Sequence, residues 1–342
     1  MRYLCVLLVT CTAFIHQPAW RKFQINGNAQ GTTYHITWYA QDSTISHQQI
    51  DSILQKIDTS LSIYNPRSLI TQFNNSTKGV VMDNHLEIVF NKSMEAYRQT
   101  GGIFDITVQP LVQAWGFGPR KVASLPDSAA IRSLKGCVSS LNLHKKGNSL
   151  LKKKTCARID VNGIAQGYSV DVIARFLEAN GIRNYLVELG GEIRVKGHKK
   201  PDDVKMKIGI EAPGENDFEL SMIQKIISVD SGAITTSGSY RKFYESEGKK
   251  ITHLIDPRTG YPARSELISV TVFAQDAITA DAYDNALMIM GLNQALQFVE
   301  KRNDIAAHFI YRTANGSIGD TASRRFYELL QNAQSSALNG ER

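Results

Sequence analysis

Residues 185–195, Tyr185-Leu186-Val187-Glu188-Leu189-Gly190-Gly191-Glu192-Ile193-Arg194-Val195, decide the fold class. The first five read as an apolar strand that stops at the glycine pair, and 192–195 continue as strand beyond the turn. Upstream, Val170, Ile173, Ala174 and Leu177 mark one face of a helix that Gly181 closes, and 156–161 read as a short strand. Downstream, 205–211, 226–229 and 267–273 add strands separated by turn residues. Helices over 279–290, 292–301 and 324–333 close the chain. Toward the N-terminus, 30–39 read as a strand. Ile50, Ile53, Leu54, Ile57 and Leu61 form an amphipathic helix stopped by Asn65-Pro66, and a second helix covers 86–97 before Gly101-Gly102. Strands beside strands, with helices between them, predict an α+β fold of largely antiparallel sheets packed with helices.

The chain has 342 residues, 42% hydrophobic and 21% charged, which supports a sizeable core and excludes collagen-like and low-complexity classes. A single long apolar run excludes a polytopic membrane protein. The net charge of +7 comes from scattered Lys and Arg, so no nucleic-acid partner is expected. The densest run, Lys145, Lys146 and Lys152 to Lys154, reads as a solvated hairpin. After Arg2, the apolar run 3–15 is too short to span a bilayer but fits a secretory signal, with a frayed first strand as the alternative. Leu8-Val9-Thr10-Cys11 approximates a lipoprotein signal in which Cys11 is acylated. The expected division is 1–22 as signal, 23–335 as the body, with two subdomains possible within it, and 336–342 as a tail. Cys137 and Cys156 lie in the body without metal-ligand spacing; they either pair on export or are two small buried hydrophobes.

Four segments carry chemistry. In Gly101-Gly102-Ile103-Phe104-Asp105-Ile106-Thr107, the carboxylate after an apolar pair either accepts hydrogen bonds from a heterocycle or caps a helix. Asp160-Val161-Asn162-Gly163-Ile164-Ala165-Gln166-Gly167 leaves a strand and enters a helix, so it is either a tight turn or a place for phosphates at a helix N-terminus. It has neither Gly-x-Gly-x-x-Gly nor Gly-Lys-Ser/Thr. The proline-bounded loop His253-Leu254-Ile255-Asp256-Pro257-Arg258-Thr259-Gly260-Tyr261-Pro262 holds a base, His253, able to take a proton from a hydroxyl. Asp256 and Arg258 can equally form a local ion pair that stiffens the turn. In 279–291, Asp281, Asp284 and Asn285 fall at i, i+3 and i+4 and project three oxygen donors onto one patch. Hard oxygen ligands with no His or Cys nearby point to Mg²⁺ or Ca²⁺, against a solvated helix face as the alternative.

Taken in order, these segments resemble the ApbE family, the FAD:protein FMN transferases, from about Gly31 to Gly291. The resemblance implies an α+β fold with FAD in a central cleft and Mg²⁺ on its pyrophosphate. It also implies FMN transfer to a threonine of an acceptor protein with release of AMP. Carried over by motif, Gln30 stands where the family has methionine lining the flavin site, Tyr64 matches the aromatic residue in the segment after the first helix, and Ile103, Phe104 and Asp105 match an Ala-Phe-Asp triplet at FAD. Asp160 matches an FAD-contacting aspartate, Gln166 replaces a lysine near the phosphates, and Ile255 falls at a backbone contact to FAD. Gly163 matches a position whose main-chain carbonyl binds the metal. Asp281, Asp284 and Asn285 match the metal-binding stretch, with asparagine where threonine is usual. His253 matches the histidine that activates the acceptor hydroxyl.

The implied location is the periplasmic side of the inner membrane, with a lipid anchor. The implied partners are FAD and an acceptor protein of a membrane-associated redox complex. Two other functions fit the same residues: an FAD pyrophosphatase yielding FMN and AMP, and a non-catalytic exported flavin-binding lipoprotein.

Overall fold

The structure, a computed structural model, describes residues 19–212, 222–239, 243–246 and 249–339. The hairpin β1 (Arg21–Ala29) and β2 (Thr32–Ala40) leads to α1 (His47–Leu61), α2 (Leu69–Asn75), β3 (Gly79–Val81) and α3 (Asn84–Gln99). Then come α4 (Gln109–Ala114), α5 (Ser128–Lys135), the hairpin β4 (Leu143–Lys146) and β5 (Ser149–Lys152), and α6 (Ala165–Ala179). The strands β6 (Asn184–Leu189), β7 (Glu192–Lys196), β8 (His198–Lys199), β9 (Val204–Ala212), β10 (Met222–Val229), β11 (Ser231–Gly238), β12 (Phe243–Ser246), β13 (Lys249–Thr252) and β14 (Leu267–Ala274) follow. The chain closes with α7 (Ala277–Met290), α8 (Leu292–Glu300), β15 (Ile305–Arg312), β16 (Ile318–Ala322) and α9 (Arg324–Asn339).

Among the described residues the largest sheet has eight strands in the order β1-β2-β6-β7-β11-β14-β15-β16, and every neighbouring pair is antiparallel. The glycine turn at 190–191 joins β6 and β7 in its middle, as the sequence predicts. Alternate side chains go to opposite faces. Tyr185, Val187 and Leu189 on β6 pack under α1 and α6, and Ile305, Ala307 and Phe309 on β15 join the core under α3, α7 and α8. Val195, Ile234 and Ala306 face the other way, where β9, β10 and Phe326 of α9 cover them. Helix α7 is buried nearly all round, so its sequence is apolar on every side apart from the few polar groups that serve the site.

One reading is corrected. Residues 156–161 form no strand: the Asn74 side chain takes both backbone groups of Ile159 (2.7 and 2.8 Å), and Asp160 N–H goes to Ile106 O at 2.8 Å. Strand β1 starts at Arg21, and α9 runs to Asn339. The signal segment and Cys11 lie outside the described residues. Cys137 and Cys156 form a disulfide with their Cα atoms 5.5 Å apart, which settles the open alternative. The lysine run is a hairpin, but Lys152 turns inward over the Phe73 ring, and burial with the Arg158 charge pushes it down to about 8. Among the described residues no helix is long and apolar enough to cross a membrane.

Candidate functional site

A cleft of about 500 Å³ opens beside α7 and is lined from every segment singled out in the sequence. Gln30, Tyr64, Ile103, Phe104, Asp105, Asp160, Gly163, Gln166, His253, Ile255, Asp281, Asp284 and Asn285 all face it. Residues separated by 250 positions thus meet because the sheet brings the β1–β2 turn, the β6–β7 turn and β11 to one end.

Gln30 sits at the β1–β2 turn with φ of 52°, and its Nε2 donates to Ser169 Oγ on α6 at 2.8 Å. Asp105 takes the capping role, at the start of the short helical turn 106–108. It faces the cleft and also accepts from Thr107 N (2.8 Å), Thr107 Oγ1 (2.6 Å), Ser140 Oγ (2.7 Å) and Ser140 N (3.1 Å). Burial raises its carboxyl, and these bonds work against that. Asp160 Oδ1 accepts from Asn162 N at 2.9 Å and shapes the turn into α6. Tyr64 is exposed, and partial burial together with the Asp160 charge raises its phenol.

The carboxylates of α7 are buried, Asp281 at 3% and Asp284 at 1% exposure, so the solvated-face alternative falls away. Asp281 Oδ2 accepts from Gly167 N at 2.8 Å. This contact needs glycine: a Cβ at 167 would meet Ala277 O at 2.4 Å and Asp281 Cβ at 2.7 Å. Burial, with the nearby Asp171 charge, pushes Asp281 up to about 7 against the pull of the Gly167 amide. Asn285 Oδ1 accepts from Ser237 Oγ at 2.9 Å, and a Cβ on Gly163 would lie 3.2 Å from Asn285 Nδ2.

His253 stands edge-on to Phe117 with ring centroids 6.3 Å apart. Its loop is held by the Ile255–Pro262 bridge, the Ala263 N to Leu254 O bond (2.7 Å) and Trp115 Nε1 donating to Gly260 O at 2.8 Å. Asp256 and Arg258 form the local ion pair (2.9 Å) and brace the turn, so the cleft receives His253, Leu254, Ile255 and Pro257 from this loop but neither of those charges.

Sequence reasoning missed Phe117, Glu192, Thr236 and Ser237 as lining residues. Glu192 follows the quoted glycine pair and was readable as a polar residue at a strand end. Thr236 and Ser237 belong to β11, whose Gly- and Ser-rich sequence carries no alternating apolar signal.

The charge on the lining is one-sided. Among the described residues the lining holds five carboxylates, Asp105, Asp160, Glu192, Asp281 and Asp284, and no lysine or arginine. Among them there is also no group of three or more His, Cys, Asp and Glu placed to hold a metal, so the donors on offer are two carboxylates, an amide and backbone carbonyls. Such hard oxygens suit Mg²⁺ or Ca²⁺, and a cation would supply the positive charge that buried Asp281 lacks. A diphosphate could approach these carboxylates only with positive charge between.

The ApbE family model matches residues 30–309. The chain is 33% identical over 327 residues to the FAD:protein FMN transferase of Haemophilus influenzae, covering 90% of this chain and 91% of that protein. It is 34% identical over 318 residues to the protein of that name from Vibrio cholerae, covering 91% and 92%. The solved structure of the flavin transferase ApbE from Vibrio cholerae matches with TM-score 0.81 and 32% identity over 91% of this chain and all (100%) of that one. The apo flavinyl transferase ApbE of Pseudomonas stutzeri matches with TM-score 0.82 and 30% identity, over 91% and 97%.

Proposed function

The chain belongs to the ApbE family, and from that premise we propose that its cleft moves FMN from FAD onto a threonine hydroxyl of an acceptor protein with release of AMP. The observation that carries this reading is the meeting of a candidate base, His253, with the oxygen donors of α7 in one cleft that has no lysine or arginine among its described lining.

Ile103 and Phe104 give the flavin an apolar bed, and the backbone at Ile255 with Asp105 and Asp160 offers polar contacts to FAD. The acceptor oxygen attacks the FMN-side phosphorus as His253 takes its proton. The new O–P bond replaces the bond to the bridging oxygen, whose electron pair leaves with AMP. Asp281, Asp284, Asn285 and the Gly163 carbonyl would hold Mg²⁺, which when bound neutralises the pyrophosphate and the leaving AMP. Gln166 contributes a neutral amide where a lysine is usual, which places more of the charge compensation on that cation.

Export is supported by the Cys137–Cys156 disulfide and by the short apolar run 3–15, which contains the signal-like stretch 8–11, and an acceptor on a membrane redox complex would suit that location. A lipid on Cys11 follows from the same stretch. Product chromatography with and without an acceptor protein tests the reaction: AMP release that requires acceptor supports transfer, whereas free FMN and AMP formed equally without it would make this a pyrophosphatase.

A further inference from the structure

Asp171 has no place in the reaction as derived, yet its carboxylate is fully buried on α6. Its Oδ1 accepts from Ala277 N (3.0 Å) and its Oδ2 from Ile278 N (2.9 Å), the first amides of α7. Arg194 reaches from β7 to the same carboxylate and offsets the cost of its burial. One turn away the direction reverses: Asp281 of α7 accepts from Gly167 N of α6. Asp171 and Gly167 are four residues apart on one helix, as Ala277 and Asp281 are on the other. The two helices therefore exchange carboxylate-to-amide bonds at two points, and the cleft end of α7 is fixed in depth and rotation.

We infer that Asp171 is a positioning residue that sets Asp281 for divalent-cation binding, through the amides of α7 and the close approach at Gly167. The inference rests on the proposed role of Asp281 as a ligand. With Oδ2 committed to Gly167, Oδ1 is the oxygen left for a cation, and its position depends on how α7 sits against α6. Outer groups that orient ligands change metal affinity by roughly ten- to a hundred-fold when removed.

The test is Mn²⁺ binding to the full-length protein, followed by electron paramagnetic resonance in the presence of FAD, alongside melting temperature. Asp171→Asn keeps the size but turns an N–H toward the amides of α7. It should weaken Mn²⁺ binding about tenfold or more while the protein remains folded. Phe309→Leu, a buried change on β15 away from the cleft, is the control and should lower the melting temperature without moving the Mn²⁺ midpoint. Should Asp171→Asn fail to fold, Arg194→Gln carries the test and should shift the midpoint in the same direction by a smaller factor. Mn²⁺ binding within twofold of wild type in a folded variant overturns the inference. A wild-type protein that does not bind Mn²⁺ overturns the ligand role of Asp281 itself, and this inference with it.

Discussion

Ser237 on β11 donates its hydroxyl to Asn285 Oδ1 on α7 at 2.9 Å, tying the middle of the main sheet to the helix that carries the cleft's carboxylates. The bond orients the amide oxygen that stands where the family has a threonine. A hydrogen bond between neutral groups contributes about 0.5–1.5 kcal/mol. Ser237→Ala should therefore raise the Mg²⁺ concentration giving half-maximal transfer by up to about tenfold, with little change in melting temperature. An unmoved midpoint in a Mg²⁺ titration would remove Asn285 orientation from the account.

His253 is placed as the base, and its ring is held by a braced loop, so its removal should act on the chemistry and spare binding. His253→Ala should lower the transfer rate by about a hundred- to ten-thousand-fold with FAD affinity nearly intact. Single-turnover kinetics beside a fluorescence titration of FAD separates the two effects. A full rate in the variant assigns the proton to another group.

The Cys137–Cys156 disulfide links the segment that supports Asp105 to the one that leads to Asp160. Ser140, three residues beyond Cys137, gives both its amide and its hydroxyl to Asp105, and Asp160 lies four residues beyond Cys156. Replacing both cysteines by serine should cost about 3 kcal/mol of stability, the usual value for a loop of this length, and should weaken FAD binding. Thermal melts and FAD titrations with and without reductant check this, since reduced wild type should behave like the double variant.

Away from the cleft, His308 on β15 is nearly inaccessible (1% exposed), with Nε2 bonded to Asp320 at 3.0 Å and Lys225 beyond it on the same carboxylate. Burial holds its imidazole below the ordinary value, the Asp320 contact opposing, and Nδ1 has no hydrogen-bond partner to receive a proton's N–H. As pH falls through about 6.5, the unfolded chain gains a proton that the folded chain refuses, so stability is full above that value and declines below it. Burial opposes the charge on Asp320, but Lys225 and His308 hold its carboxyl below the usual range, so its own contribution is lost only at lower pH. Between about pH 7 and 5, acidification should cost wild type more melting temperature than it costs His308→Leu, because the opposing titration of buried Asp281 is common to both proteins. Equal slopes in the two proteins would place the titration elsewhere.

Most of this architecture was legible because its signals are local. The glycine pair at 190–191 ends one strand and starts its neighbour, and the apolar spacing of α1 and α6 marks their buried faces. Asp281, Asp284 and Asn285 stood out because carboxylates are rare in so apolar a helix. What could not be read depends on distant partners. The stretch 156–161 has strand-like composition, but the Asn74 side chain occupies the backbone groups that a ladder would use. Strand β11 has too little apolar alternation to announce itself, and with it Thr236 and Ser237 went unseen. Asp171 carries no signal in the sequence, and only the packing of α6 on α7 reveals what its carboxylate holds.

The central claim is that this cleft joins FMN to a protein. The most direct measurement is the intact mass of a threonine-bearing acceptor protein after incubation with this protein, FAD and Mg²⁺. The account predicts an acceptor heavier by one FMN unit, lost when a chelator is present and lost again when the target threonine is alanine. An acceptor of unchanged mass, across several acceptors and beside free FMN and AMP in the same tube, would contradict it.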